Sequence, residues 1–381
     1  MPVRAESLHA LGQSVWLDFI RRSHLASGEF SALVRDQGVV GVTSNPTIFQ
    51  HAIANSGDYD DAIARGAADG RSGPVLFESL AVEDIRRVCD LLAPVHARTH
   101  GLDGRASIEV NPRLAGDTAG TIEEARRLHR EVGRPNVMVK VPATAAGLPA
   151  ITTLTAEGIC VNVTLIFSRS RYEQVMEAYL VGLERRLAAG AALDQLFSVA
   201  SFFVSRVDTK VDAAIETAIQ ARPTGSPEAA ELAALRGKAA VANARLAYAR
   251  FQEIFGAPRF GKLSAAGAHV QRPLWASTST KNPAYPDTLY VDELVGPDSV
   301  NTMPLATLTA YNEHGSLELR IGRDLDAARR LFERLPELSV PIDTLIAQLE
   351  PEGVQAFSQS YDALLDALEK RRLALAGRAG Q

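Results

Sequence analysis

Cysteine and lysine are both scarce in this chain, and each scarcity excludes something. The two cysteines, Cys89 and Cys160, lie far apart with no CxxC pair, which argues against a disulfide framework or a cysteine zinc site and fits a reducing cytoplasm. Positive charge is not in excess: Lys and Arg number 40 against 45 Asp and Glu, a net charge of −5. With no basic tail or stripe, nucleic acid is not an expected partner. Long apolar runs are missing too. The longest, such as residues 196–204, are strand-sized, so no membrane span is expected, and residues 1–13 show no basic segment leading into an apolar one. The eight histidines show no HxH or HExxH spacing, and His96 and His100, four apart, read best as a surface pair. No metal and no other cofactor is therefore expected. There is also no GxSxG elbow and no GxxxxGKS/T loop, which removes the simplest hydrolase and NTPase readings.

What is there begins with the lysines. Only 6 of the 40 basic residues are Lys, and Lys, unlike Arg, can be tuned into a neutral amine. Lys140 stands in Asn136-Val-Met-Val-Lys140-Val-Pro142, an apolar run of strand character.

Short apolar runs alternate with helical patterns along the whole chain. Strands are expected at about 14–20, 39–43, 106–110, 136–141, 160–167, 197–203, 274–277 and 300–303, with helices at 29–37, 76–93, 121–132, 148–156 and 171–188 between them. Such alternation means parallel strands joined by right-handed crossovers. Eight strands close a barrel, and the Gly-rich fingerprint of many open dinucleotide-binding sheets is absent after the first strand. The expected fold is α/β, a TIM-type (β/α)8 barrel in one domain spanning 1–381, with extra helices at about 205–258 and 305–381. Ser226-Pro227-Glu228 opens an Ala-rich run read as one long insertion helix ending at Gly256. A second amphipathic helix places Val354, Phe357, Tyr361, Leu364, Leu365 and Leu368 on one face.

Closed barrels carry their chemistry at the C-terminal ends of strands. A lysine covered on both faces of a buried strand is expected to lose basicity and to become a nucleophile toward a carbonyl. Asp18 follows Val15-Trp-Leu, and Glu109 sits in Ser107-Ile-Glu-Val-Asn111; carboxylates in such runs are costly unless paired or working. With Lys140 they form a trio able to make an imine and move protons around it. The other strand ends are polar: Thr43-Ser44-Asn45-Pro46, Asn162-Val-Thr164, Ser201 and Ser277-Thr-Ser279-Thr-Lys281 offer amides and hydroxyls to a polyol. Arg206 and the Ser279/Lys281 loop are a plausible phosphate cradle, with Asp208 close enough in sequence to compete for Arg206.

Six segments together resemble the transaldolases in their longer bacterial form: Val15-Trp-Leu-Asp18, Gly41-Val-Thr-Ser-Asn-Pro-Thr47, Ile108-Glu-Val-Asn111, Val137-Met-Val-Lys-Val-Pro-Ala143, Gly158-Ile-Cys-Val-Asn-Val-Thr-Leu-Ile-Phe-Ser168 and Trp275-Ala-Ser-Thr-Ser-Thr-Lys-Asn282. The resemblance implies a metal-free aldol transfer on sugar phosphates in cytoplasmic pentose phosphate metabolism. It implies Lys140 as the Schiff-base residue, Asp18 as the acid/base at the C4 hydroxyl, and Glu109 with Thr164 and a water as the relay for imine formation and hydrolysis. Asn45, Asn162 and Ser201 would orient the donor, and Arg206, Ser279 and Lys281 would hold phosphate. Lys281 departs from the shorter members, which commonly carry Arg there after a Ser-Phe pair. Two alternatives stay open: an aldolase that splits fructose 6-phosphate outright, and a phosphosugar binder without turnover. Association into a homo-oligomer is also left open.

Overall fold

A computed structural model describes residues 4–54 and 56–379. Residues 1–3 of the N-terminal segment and residues 380 and 381 of the expected 305–381 span lie outside the described residues. Eight parallel strands, β1 (Gln13–Leu17), β2 (Val39–Val42), β3 (Arg105–Glu109), β4 (Val137–Pro142), β5 (Val161–Ile166), β6 (Ser198–Phe203), β7 (Gln271–Ala276) and β8 (Ser299–Met303), close into a barrel in sequence order. This is the TIM-type barrel with extra helices that the strand–helix rhythm implies. Nearly every strand residue is buried, because helices cover the outer face and side chains fill the lumen.

The crossover helices begin and end where local chemistry dictates. Asp117 caps Thr118–Val132 by accepting from the Gly120 N–H, and Gly133 closes it at φ 58°. Ser168 caps Arg169–Ala188 by accepting from the Arg171 N–H at 3.1 Å. Both side chains satisfy amides that an α-helix leaves unbonded at its start.

The lower, N-terminal end of the lumen is plugged. Arg272 pairs with Asp103 at 3.0 Å and donates to Ser14, and the Trp16 indole donates to the same carboxylate at 3.2 Å. Trp16 lies so close to β2 that a Cβ on Gly41 would stand 2.4 Å from its ring, which explains a glycine in mid-strand. With the floor filled, the centre of the lumen is closed from below.

The insertion between β6 and β7 departs from expectation. The run read as one helix is two, Pro227–Leu235 and Ala239–Phe255, broken at Gly237, whose φ is +68°. Ser226 does cap the first, accepting from the Ala229 N–H. The second amphipathic segment is part of a longer helix, Ile342–Ala379, that packs on the helix Pro46–Ala54 following β2. It therefore lies over the rim where the strands end. No helix among the described residues is long and apolar enough to cross a membrane.

Candidate active site

Glu109, Lys140 and Asn162 are register partners across β3, β4 and β5. Partnered residues of parallel strands project to one face, so a carboxylate, an amine and an amide stand side by side at one level of the lumen. The Lys140 side chain is 5% exposed, and its Nζ donates to Glu109 Oε2 at 3.3 Å and to the Ser44 carbonyl at 3.1 Å. Burial pushes the Glu109 carboxyl up to about 7; the Lys140 charge opposes this, and the Asp18 charge adds to it. Asp18 follows β1 directly, where its N–H continues the ladder by donating to the Met303 carbonyl at 2.8 Å. Its Oδ1 accepts from Thr43 Oγ1 at 2.8 Å. Burial raises the Asp18 carboxyl above its ordinary range, against the pull of Lys140, the Thr43 hydrogen bond and Lys281. Two acids and one amine thus share a buried space in which the Lys140 charge favours the ionised form of both carboxylates and burial opposes it.

The neutral groups around the trio are held in place. Asn162 donates from Nδ2 to Ser107 Oγ at 3.0 Å and accepts at Oδ1 from Ser201 at 2.7 Å. Asn45 uses Oδ1 to cap the helix Pro46–Ala54, accepting from the Ile48 N–H at 3.0 Å. Thr164 is fully buried, and its hydroxyl has no partner among the described residues. Just beyond it Leu165 adopts φ 61°, at a register shift between β5 and β6, and Ser277, directly after β7, adopts φ 56°. Left-handed non-glycine residues at a barrel rim are local strain where chemistry is expected.

A second group of cations sits farther along the rim. Arg206 opens the helix Ser205–Gln220 behind β6, its guanidinium 5.5 Å from the Phe203 ring, and no carboxylate pairs with it among the described residues. Asp208, the expected competitor, turns away: its carboxylate accepts from the Ala240 N–H at 2.7 Å and from the Tyr290 hydroxyl at 2.9 Å. Lys281 donates to Ser279 Oγ at 2.7 Å. Its pKa is lowered by partial burial and then by the like charge of Arg206, while Asp18 opposes both. Two cations that repel each other, beside a hydroxyl and within electrostatic reach of the acids, are suited to a dianionic group.

The family model for Transaldolase/Fructose-6-phosphate aldolase matches residues 15–368. Relatives named Transaldolase include one from Mycolicibacterium smegmatis, 50% identical over 364 residues that cover 95% of this chain and 96% of the relative. Another, from Parafrankia, is 48% identical over 365 residues, covering 96% of both chains. A Transaldolase 2 from Nostoc is 46% identical over 360 residues, covering 94% of both. The chain belongs to the transaldolase/fructose-6-phosphate aldolase family.

Nine of the ten residues singled out in the sequence of this family member lie on or just beyond the C-terminal halves of the strands, and Asn162, the second residue of β5, stands level with Lys140 as its register partner; the ten form two groups linked by Asp18. Other residues complete the site: Thr43 and Ser44, read from the sequence only as a polar strand end, and Ser107 and Phe357, to which the sequence reading gave no role. Ser44 supplies a carbonyl to Lys140 and anchors its own hydroxyl on the Ser107 carbonyl at 2.7 Å. Thr43 links Asp18 to Thr302, whose hydroxyl is 2.8 Å away. Ser107 stands two residues before Glu109 on the same strand face, so the period-two rule could have found it. Phe357, from the helix Ile342–Ala379, sets its ring centroid 5.6 Å from Lys140 Nζ. No local pattern points to it.

Proposed function

We propose that the protein is a transaldolase. It moves a dihydroxyacetone unit from sedoheptulose 7-phosphate to glyceraldehyde 3-phosphate, giving erythrose 4-phosphate and fructose 6-phosphate, through a Schiff base on Lys140. The observation that carries this reading is the buried Lys140 amine 3.3 Å from a carboxyl held near neutrality. A proton can pass along that contact, leaving a free amine and a carboxylic acid. The amine adds to the donor carbonyl, and Glu109 protonates the departing hydroxyl as water, which the Thr164 hydroxyl holds; its lack of a partner among the described residues supports that role. Asp18 takes the C4 hydroxyl proton, the C3–C4 bond breaks, and its electron pair is stored in the enamine on Lys140. The acceptor aldehyde reverses these steps. Asn45, Asn162 and Ser201 orient donor hydroxyls, and Arg206, with Ser279 and Lys281, holds the phosphate. The same reading puts the whole chain to work as one catalytic domain in cytoplasmic pentose phosphate metabolism.

Borohydride reduction in the presence of fructose 6-phosphate, followed by peptide mass spectrometry, tests the assignment. The adduct is expected on Lys140 and is absent from Lys140→Ala; an adduct on another lysine refutes it. The family description also names fructose-6-phosphate aldolase. Product analysis with and without acceptor separates the two, since an aldolase releases dihydroxyacetone whether or not an acceptor is present.

A further inference from the structure

An enamine awaiting a second aldehyde must survive in water, and the lumen is closed above Lys140 by a helix that follows all eight strands in the chain. Two contacts set its height. At Gly353 the helix rests on the end of β5, where a Cβ would stand 3.1 Å from Leu165 Cδ2 and 3.2 Å from Phe167 Cε2. One turn later Phe357 points down, 6% exposed, with its ring 5.6 Å from Lys140 Nζ and 6.5 Å from the Phe203 ring. Another turn on, the Tyr361 hydroxyl is 3.5 Å from Asn111 Nδ2. Phe203 in turn carries the Arg206 guanidinium on its face. A continuous aromatic surface therefore runs from the amine to the phosphate end, and Phe357 is its member nearest the amine.

The helix is anchored around the rim. Glu350 pairs with Arg171 at 2.9 Å, behind β5; Glu352 pairs with Lys210, behind β6; Ser360 accepts from Thr47 at 3.0 Å, behind β2; and Asp60 pairs with Arg371 at 2.6 Å. Such spread-out anchoring holds the Phe357 ring in place. A phenyl ring offers water no hydrogen bond, so the side of the amine that Phe357 faces is apolar.

We propose that Phe357 is the residue that sets the partition of the enamine on Lys140 between transfer and release. This rests on the Schiff-base reading above. In transfer, the C3 carbon of the enamine attacks the acceptor carbonyl carbon, a C–C bond forms, and the new alkoxide takes its proton from Asp18. In release, C3 instead takes a proton delivered by water and the enamine becomes an iminium. Water then adds at C2, the C2–N bond breaks, and free dihydroxyacetone leaves with the lysine amine restored. Both routes begin from one intermediate, so a residue that only excludes water from C3 changes their ratio without changing how the intermediate forms.

The test measures dihydroxyacetone released and ketose formed by transfer, with fructose 6-phosphate as donor and erythrose 4-phosphate as acceptor, alongside borohydride trapping. Phe357→Ala is expected to raise the ratio of release to transfer about tenfold or more, by admitting water to the enamine, while the adduct on Lys140 persists. Phe357→Leu, which keeps an apolar mass at the position and guards against loss of fold in the alanine variant, is expected to return the ratio most of the way to that of the unaltered enzyme. A ratio unmoved in both variants, or release and transfer falling in parallel, overturns the proposal. An adduct missing from Lys140 in the unaltered enzyme overturns this proposal together with the Schiff-base reading, whereas an adduct with an unmoved ratio overturns this proposal alone.

Discussion

Replacing Glu109 with glutamine keeps the shape and the contact to Lys140 while removing the proton that the mechanism moves. The size of the effect follows from the shift at this carboxyl, from the ordinary 4.5 to about 7. At neutral pH an ordinary glutamate is protonated in roughly one molecule in 300, whereas Glu109 is protonated in about half, a gain of more than about a hundredfold in the acid form. General acid and base catalysis of this kind is worth about 10²–10⁴ in rate. Glu109→Gln should slow formation of the borohydride-trapped adduct by that range, with little change in the sugar concentration that half-saturates trapping. It should also flatten the pH profile. In the unaltered enzyme trapping should carry a limb centred near pH 7, and the glutamine variant should lack it. Rapid-quench trapping with fructose 6-phosphate between about pH 5.5 and pH 9 reads both quantities. A limb near pH 7 that survives in Glu109→Gln assigns it to another group and refutes the argument from burial.

Three further outcomes are expected. Asp18→Ala should still trap the ketose but cleave it about 10²–10⁴ times more slowly in single-turnover measurements; unchanged cleavage would remove Asp18 from the chemistry. Arg206→Ala should raise KM for phosphorylated donors by about 10–100-fold, the loss of a charge-assisted contact, and far less for unphosphorylated ones; equal effects on both would remove its phosphate role. Asp208, buried and raised from 3.8 to about 7 by that burial, with Asp212 adding to it, favours the protonated folded state. Its contribution to stability is full below about pH 4 and is lost as pH rises through 7, by at most about 4 kcal/mol for a shift of about three units. Asp208→Asn should therefore gain stability relative to the unaltered protein between pH 5 and pH 8 in denaturant titrations, and a difference that stays constant with pH would contradict this.

The eight strands could be found in the sequence because strands covered on both faces read as apolar runs bounded by polar turns. Most edges differ by one residue, at β2 and β3 because rim residues go on bonding past the regular ladder, as Thr43 does to the Leu17 carbonyl and Val110 to the Lys140 carbonyl; β7 begins three residues early because its first residues, Gln271 and Arg272, are polar. The insertion was misread for a different reason. Its alanines favour one helix, but Gly237 is pinned by tertiary contacts: its N–H donates to Asp212, and a Cβ there would stand 2.7 Å from the Tyr285 ring. Tertiary context overrode propensity. Lys140, Asp18 and Glu109 were legible because a charge inside an apolar strand needs a reason. The suggested competition of Asp208 for Arg206 fails on helical spacing, since residues two apart do not face each other. Phe357 was invisible as a site residue because an aromatic at helical spacing is what any core-facing helix displays.

The closure of the ring also bears on how the chain is made. β1 is hydrogen-bonded on one side to β2, its neighbour in sequence, and on the other to β8, with Gln13 opposite Ser299 and Leu17 opposite Met303. Until Met303 has emerged from the ribosome, the first strand has one row of backbone amides and carbonyls with nothing to bind, on an edge of five residues that are all buried in the finished fold. Such an edge invites pairing with a neighbouring nascent chain, and contacts between distant parts of a chain form late. Chains stalled before β8 should thus be the species that chaperones and proteases meet first.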